Sequence, residues 1–233
     1  MSGARDHILA AIRRGLGRGP LSEASREALD ARLRAGAGAG AEDNLRPRLP
    51  EGDLTTLFRS RLEAAAGTLE PLDAETGVPA RVAAYMAGRG LTGPIAVAPS
   101  LETLDWRSAG LEPRFGRSFG EEPLCVSRAF CAVAETGTLV LLSGPENPTT
   151  LNFLPDHHLV VLHASDLVSH LEDAWSRVRA RDAVWPRTVN LITGPSRTAD
   201  VEQTIQLGAH GPRSLHVLWV QSDVPESVAS QTG

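Results

Sequence analysis

Apolar residues recur at helical spacing in three parts of the chain, and each part predicts an amphipathic helix. The first helix is capped by Asp53 and ends at Gly67, the second ends at Gly88, and the third runs from Asp166 to Val178. Their apolar faces are Leu54, Leu57, Phe58, Leu62 and Ala65 in the first, Val78, Val82, Tyr85 and Met86 in the second, and Leu167, Val168, Leu171, Ala174, Trp175 and Val178 in the third.

Short continuous apolar runs alternate with these helices and predict buried strands. They are PIAVAP (94–99), HLVVLH (158–163), TVNLITG (188–194) and LHVLWV (215–220). Two more apolar segments, 125–134 and 139–142, are separated only by ETGT and predict a β-hairpin. A short helix from about Thr198 to Gly208 completes the pattern. The alternation predicts an α/β fold with a mostly parallel sheet, helices on its faces and an inserted hairpin.

The first fifty residues follow a different pattern. Residues 6–15 and 21–33 are loosely helical, but AGAGAGAEDN (35–44) and RPRLPEG (46–52) break the periodicity with small residues and prolines. We therefore expect an N-terminal helical arm and flexible linker over residues 1–50, and one α/β domain over residues 51–233.

Charge and composition exclude several classes of function. All 23 basic residues of this 233-residue chain are arginine, which excludes a Schiff-base or P-loop lysine. The net charge is −5 and no basic run occurs, so nucleic acid and anionic membranes are poor candidates as partners. No apolar run is long enough to span a bilayer. The N-terminal sequence MSGARDHILAAIRR does not resemble a secretory signal, so we expect a cytoplasmic protein.

Cys125 and Cys131 are the two cysteines of the sequence. Their spacing is not that of a CxxC motif, and two thiols are too few to hold an iron–sulfur cluster. We expect both to be small apolar residues in or beside a strand.

Two similar turns frame the segment GPSRTADVEQTIQLGAHGPR (194–213). One interpretation is an anion-binding cradle, in which the unpaired N–H groups of a helix start and the guanidinium of Arg197 face a carboxylate or phosphate. The other interpretation is that the turns only separate elements, with Asp200 satisfying the helix start. His210 is a candidate for proton transfer or an ordinary loop residue. The candidate residues of this segment are Gly194, Ser196, Arg197, Thr198, Asp200, His210, Gly211 and Arg213.

The segment AETGT (134–138) places a glutamate, two threonines and a glycine at a tight bend between apolar strands. A well-formed hairpin turn explains these residues, because glycine permits a positive φ and hydroxyls satisfy the backbone. The functional alternative makes Glu135 a general base or nucleophile. Thr136, Gly137 and Thr138 are then ligand-binding candidates.

The segment NFLPDHHLVV (152–161) brings together Asp156, His157 and His158. Neighbouring residues of a strand point to opposite faces, so only one of the two histidines is expected to face any given site. No HxxxH or HExxH pattern supports zinc, and we expect no metal site.

Four of these segments occur in a characteristic order: AETGT (134–138), LPDHH (154–158), ITGPSRTADVE (192–202) and GAHGPR (208–213). In this order they resemble the LUD-domain family, of the lactate-utilisation protein C type. The resemblance covers the chain from about Glu51 onward. It implies a Rossmann-like fold similar to that of sugar-phosphate isomerases and coenzyme-A transferases.

The resemblance also implies a role in oxidising L-lactate to pyruvate, beside partner proteins that carry iron–sulfur clusters. This chain is then the accessory member without a cluster or other cofactor of its own, and it either holds an anionic small molecule at the framing turns or docks the redox partners. The alternative is an independent enzyme acting on a phosphorylated sugar, a coenzyme-A thioester or a folate. The resemblance supplies no established catalytic residues, and the sequence leaves open whether the chain forms a homo-oligomer.

Overall fold

The computed structural model describes residues 3–17, 19–35, 46–181, 184–198, 206–208 and 210–222. Internal contacts divide the chain into a unit of residues 1–47 and a unit of residues 48–233. The first unit contains helices α1 (Gly3–Gly15) and α2 (Glu23–Ala35), and α1 buries none of its residues.

The second unit contains four helices and twelve strands in its described residues. The helices are α3 (Leu54–Ala64), α4 (Val78–Arg89), α5 (Thr150–Phe153) and α6 (Leu171–Arg179). The strands are β1 (Thr68–Ala74), β2 (Ile95–Val97), β3 (Arg114–Phe115), β4 (Leu124–Arg128), β5 (Cys131–Val133), β6 (Thr138–Leu142), β7 (His157–His163), β8 (Leu167–Val168), β9 (Val189–Ile192), β10 (Arg197–Thr198), β11 (Gln206–Leu207) and β12 (Ser214–Ser222). None of the described helices combines the length and the apolar character needed to cross a membrane.

Six strands form the main sheet in the order β1-β12-β7-β4-β2-β3, and every neighbouring pair is parallel. A second sheet has the order β8-β5-β6-β9. Its β5–β6 and β6–β9 pairs are antiparallel, whereas β5 and β8 are parallel. The predicted α/β class with a mostly parallel sheet flanked by helices is confirmed.

Three buried clusters hold these layers together. One lies between α4 and a face of the main sheet and includes Trp106. Another joins the opposite face of the main sheet to α3 and the inner face of the second sheet, with Phe58 and Trp219 in contact. The third lies between the outer face of the second sheet and α6. The second sheet is therefore a layer between the main sheet and α6.

The first two predicted helices are confirmed, although both end elsewhere. The Asp53 carboxylate accepts a hydrogen bond from the Thr56 N–H at 3.0 Å and caps α3, which ends at Ala64. Helix α4 ends at Arg89, and Gly90, not Gly88, takes the left-handed conformation after it. Strand β1 lies between the two helices and was not predicted.

The predicted hairpin is correct only for the residues next to the ETGT bend. The segment 125–134 belongs to two strands in different sheets, and the chain crosses between the sheets at Ala129 and Phe130. The Ala129 N–H donates to Val161 of the main sheet, while the Phe130 N–H donates to Val140 of the second sheet. Only Cys131–Val133 pairs with β6 across the ETGT bend.

The third predicted helix begins too early at Asp166. Leu167 and Val168 form β8, and α6 begins at Leu171. His170 caps this helix, and its N–H donates to the Asp173 carboxylate at 3.0 Å. The predicted apolar face therefore combined residues of two elements: β8, which belongs to the second sheet, and α6, which packs against that sheet.

The predictions around the framing turns need two corrections. TVNLITG is not a buried strand of the parallel sheet, since β9 is the half-exposed, antiparallel edge of the second sheet. The predicted helix does not begin at Thr198, which lies in β10 and pairs with β11, and residues 199–205 of the predicted helix lie outside the described residues. Asp200 lies outside the described residues. The strands predicted for PIAVAP, HLVVLH and LHVLWV are confirmed as β2, β7 and β12.

Candidate functional site

A cavity of about 280 Å³ lies where the second sheet meets the amino ends of β7 and β12. Its walls come from α5, the end of β9 and both framing turns. The lining residues are Asn152, Phe153, His158, Leu191, Ile192, Thr193, Gly194, Ser196, His210, Gly211, Pro212 and Leu215. Ligands of open α/β sheets usually bind at the carboxyl ends of the strands, so this cavity is at the opposite edge of the main sheet.

His158 is a fully buried polar side chain in this wall. Its Nε2 lies 2.6 Å from the Ser127 Oγ on β4, whereas its Nδ1 has no partner among the described residues. Burial lowers the pKa of His158 to about 3, so the ring is neutral at physiological pH. His158 is therefore an uncharged lining residue with one unused hydrogen-bonding atom.

Asn152 is the second buried polar residue of the wall and is 1% exposed. Neither its Oδ1 nor its Nδ2 has a partner among the described residues. A buried amide without partners is unfavourable, and native proteins rarely leave one without a reason. Asn152 was not nominated from the sequence. The sequence feature that could have indicated it is an asparagine between two large apolar residues, in the same segment as the paired histidines.

The two framing turns lie together and form one side of the cavity. The Ser196 N–H donates to the Pro212 carbonyl at 2.8 Å, and the Gly208 N–H donates to the Ser196 carbonyl at 2.9 Å. The Arg213 N–H donates to the Asp156 carbonyl at 2.8 Å, which joins the second turn to LPDHH. Of the residues nominated in these turns, Gly194, Ser196, His210 and Gly211 line the cavity.

The arginines of the framing turns lie outside the cavity lining. Arg197 is exposed in β10. Arg213 is 66% exposed at its side chain, and its Nε lies 3.3 Å from the Asp156 carboxylate. Thr198 lies in β10, and its side chain is outside the described part of the structure. The structure brings the two turns together but does not direct their guanidinium groups into this cavity.

The AETGT bend lies behind the cavity wall. The hydroxyls of Thr136, Thr138 and Thr193 form a chain, with oxygen–oxygen distances of 2.7 and 2.5 Å, and Thr193 lines the cavity. Gly137 has a φ of 69°, and a Cβ there would lie 2.6 Å from the Leu62 backbone nitrogen of α3. Glu135 is half-buried, its N–H donates to the Ser169 carbonyl, and it does not line the cavity.

His157 points away from the cavity, toward α4. Its Nδ1 lies 3.1 Å from the Tyr85 hydroxyl, and burial together with the charge of Arg89 lowers its pKa. The two histidines thus face opposite sides of β7, as the sequence predicts. Within the described part of the chain, no group of three His, Cys, Asp or Glu side chains is placed to hold a metal ion.

A polar cluster at the carboxyl edge of the main sheet escaped the sequence analysis. The Glu75 carboxylate, which follows β1, accepts hydrogen bonds from Arg128 at the end of β4 and contacts His163 Nε2 at 2.5 Å. Burial disfavours the charge of Glu75, but the bonds from His163 and Arg128 outweigh it and lower the pKa. The three residues are far apart in sequence and form no motif, so only the fold reveals them.

Both cysteines are buried in strands, as expected. Burial raises the pKa of Cys125 to about 11 and that of Cys131 to about 12. Neither thiol is therefore in the reactive thiolate form near neutral pH.

Comparison with known proteins identifies the segment that contains the cavity. The model of the LUD domain family matches residues 74–220, which include every lining residue. A crystal structure of a DUF162 family protein from Deinococcus radiodurans has a similar fold, with a TM-score of 0.53 and 19% identity. The similarity covers 74% of this chain and 99% of that one.

Curated relatives match over shorter segments. An uncharacterized protein of Neisseria meningitidis is 40% identical over 97 residues, or 42% of each chain. Lactate utilization protein C of Geobacillus thermodenitrificans is 37% identical over 34% of this chain and 35% of its own. The Bacillus subtilis protein of that name is 30% identical over 48% of this chain and 52% of its own. The matches span about a third to a half of these relatives.

Proposed function

The chain belongs to the LUD domain family, and from this membership we propose that it is an accessory component of lactate utilisation that binds a small ligand in the cavity around Asn152 and His158. Relatives named lactate utilization protein C, 30–37% identical over the matched segments, support the lactate role.

The unpartnered polar atoms of Asn152 and His158 carry the proposal of a ligand site. Both side chains are at most 1% exposed, both line one cavity, and both retain hydrogen-bonding capacity that the described residues do not use. A ligand that bonded to them would remove an unfavourable feature of the fold. The framing turns would then contribute Ser196 and backbone groups to the same site.

The two cysteines support placing the redox centre on other proteins. Cys125 and Cys131 are the two cysteines of the sequence and are buried in different sheets, whereas an iron–sulfur cluster is typically held by four cysteine thiolates. We therefore propose that partner proteins carry the iron–sulfur clusters that oxidise L-lactate to pyruvate, and that this chain assists them.

The alternative of an independent enzyme with Glu135 as base or nucleophile has less support. Glu135 does not line the cavity, and none of the described lining residues is an arginine that could hold a phosphate. Turnover of a phosphorylated sugar, a coenzyme-A thioester or a folate by the purified protein, lost in Glu135→Gln, would favour that alternative.

Growth on L-lactate tests the proposal. In the source organism, deletion of the gene is expected to abolish growth on L-lactate and lactate-dependent electron transfer in extracts. The wild type should restore both, and Asn152→Ala should restore neither, because the ligand loses its partner. Asn190→Ala is the matched control, since the Asn190 amide also lacks a partner for its Nδ2 but lies outside the cavity.

The variants must be folded, which circular dichroism and thermal unfolding establish. Normal lactate growth of the deletion strain would refute the family role for this chain. Full rescue by folded Asn152→Ala would instead show that the role does not use the cavity.

A further inference from the structure

We infer that the part of the ligand buried in the cavity is uncharged and presents an acceptor beside a donor, as a carboxamide, a lactam or the edge of a nitrogen heterocycle does. This inference rests on the proposed function in one respect, namely that the cavity is a ligand site. It differs from the expectation, based on the sequence, of a carboxylate or phosphate held at the framing turns.

The described part of the lining disfavours a buried anion. Among the described residues it contains no arginine, aspartate or glutamate, and its fully buried histidine, His158, is neutral. A carboxylate enclosed by such a wall would lose its hydration without gaining a cation, which is far more unfavourable than burying a neutral polar group. His210 is exposed, so any anionic group of the ligand belongs at that side of the cavity, in contact with water.

Asn152 determines the complementary pattern. Its side-chain oxygen accepts and its NH₂ group donates, the two lie side by side in one plane, and both are unpartnered. A carboxamide or heterocycle edge can pair with both at once, as asparagine does with adenine in nucleic-acid recognition. A carboxylate only accepts, so it would leave the Asn152 oxygen unpaired.

His158 supplies a third point of contact that adapts to the ligand. The Ser127 hydroxyl beside Nε2 can donate or accept, so either tautomer of His158 keeps that bond. Nδ1 is accordingly a donor in one tautomer and an acceptor in the other. The wall can therefore match a second polar atom of either kind on the ligand.

The remaining walls favour a flat, compact group. Phe153, Leu191, Ile192, Pro212 and Leu215 are apolar and suit the faces of a ring. A volume of about 280 Å³ is near the lower limit for small-molecule pockets. The cavity therefore suits one small ring system better than a complete dinucleotide.

Nicotinamide and nicotinate are the probes for the test, because they have the same ring and differ only in a carboxamide against a carboxylate. Full-length wild type is titrated with each at neutral pH, with binding followed by ligand-observed NMR. We expect nicotinamide to bind at least about tenfold tighter than nicotinate, the ratio that 1.4 kcal/mol of desolvation gives. This comparison requires no variant.

Two substitutions locate the binding. Asn152→Leu keeps the approximate size of the side chain but removes both the donor and the acceptor, and we expect it to weaken nicotinamide binding about tenfold. We expect the same of Asn152→Ala. Asn190→Ala should leave the affinity unchanged, because Asn190 lies outside the lining.

Two outcomes would overturn the inference: binding of nicotinate or L-lactate at least as tight as that of nicotinamide, or no binding of nicotinamide at millimolar concentration. Its failure is distinguishable from that of the proposed function. Normal lactate growth of the Asn152→Ala strain shows that the lactate role does not use the cavity, even if the amide is preferred. Loss of growth in that strain with a preference for carboxylate removes only the inference about the ligand.

Discussion

His158 shows how one buried residue can have both a structural and a binding role. Its Nε2 joins β7 to β4 through the Ser127 hydroxyl, while its Nδ1 is unused. A histidine in water has a pKa near 6.5, so a value of about 3 in the folded chain makes protonation and folding compete. This competition has a measurable consequence for stability.

We predict that His158 makes the chain less stable as the pH falls from about 6.5 toward 3. In this window the unfolded chain binds a proton at His158 that the folded chain does not, so the free energy of unfolding rises with pH. The contribution to the slope is at most about 1.4 kcal/mol per pH unit. Urea unfolding of the wild type and of His158→Gln at pH 7, 6 and 5 measures it. Equal slopes in the two proteins would contradict the prediction.

At the scale of single residues, the sequence predicted that only one of the two adjacent histidines faces any given site. It could not predict which polar side chain would lack a hydrogen-bond partner. The alternation along a strand separates His157 from His158. Whether Asn152 finds a hydrogen-bond partner depends on residues brought together by α5, β9 and the second framing turn. Hydrogen bonding between residues that are far apart in the chain leaves no pattern in the sequence.

At the scale of elements, the first framing turn packs closely on the end of α3. Gly194 has a φ of 83°, and a Cβ at this position would lie 2.2 Å from the Ala65 carbonyl oxygen. Gly137 approaches the same helix from the AETGT bend. The glycines of two motifs are thus explained by contact with one helix, without any ligand.

We predict that Gly194→Ala lowers the free energy of unfolding by more than about 1 kcal/mol, because the methyl group meets rigid backbone and the residue keeps a positive φ. Gly144→Ala is the control, since a Cβ there meets nothing within 4 Å. Its effect should stay within about 0.5 kcal/mol. Denaturant unfolding of both variants checks this, and similar losses in the two would show that the contact with α3 is unimportant.

The strands that the sequence predicts best are those buried on both faces. β2, β7 and β12 are continuous apolar runs because the main sheet is covered on each side. β1 escaped prediction because Glu70, Pro71 and Asp73 interrupt it at the sheet edge, where polar residues and proline are tolerated. The predicted start of α6 was too early for a different reason. Two apolar residues next to a helix fit the helical period whether they are themselves helical or extended.

For the whole molecule, the division near residue 47 makes a test possible. All three buried clusters use residues of the second unit alone, and α1 buries none of its own. We predict that residues 48–233 fold when expressed without the first unit, with an unfolding free energy within about 1 kcal/mol of the full chain. Circular dichroism and urea unfolding measure this. An aggregated or markedly less stable product would show that residues 1–47 contribute to the fold.

The position of β12 has a consequence for how the protein is made. This strand lies between β1 and β7, and Thr68 on β1 pairs with His216, 148 positions later. A ribosome makes β1 early, yet β12, its neighbour in the sheet, emerges only after all the other described strands. Such non-local pairing is slow and leaves strand edges uncovered in the nascent chain. Closure of the sheet is therefore a late step, and it brings the second framing turn, which directly precedes β12, to the cavity at the same moment.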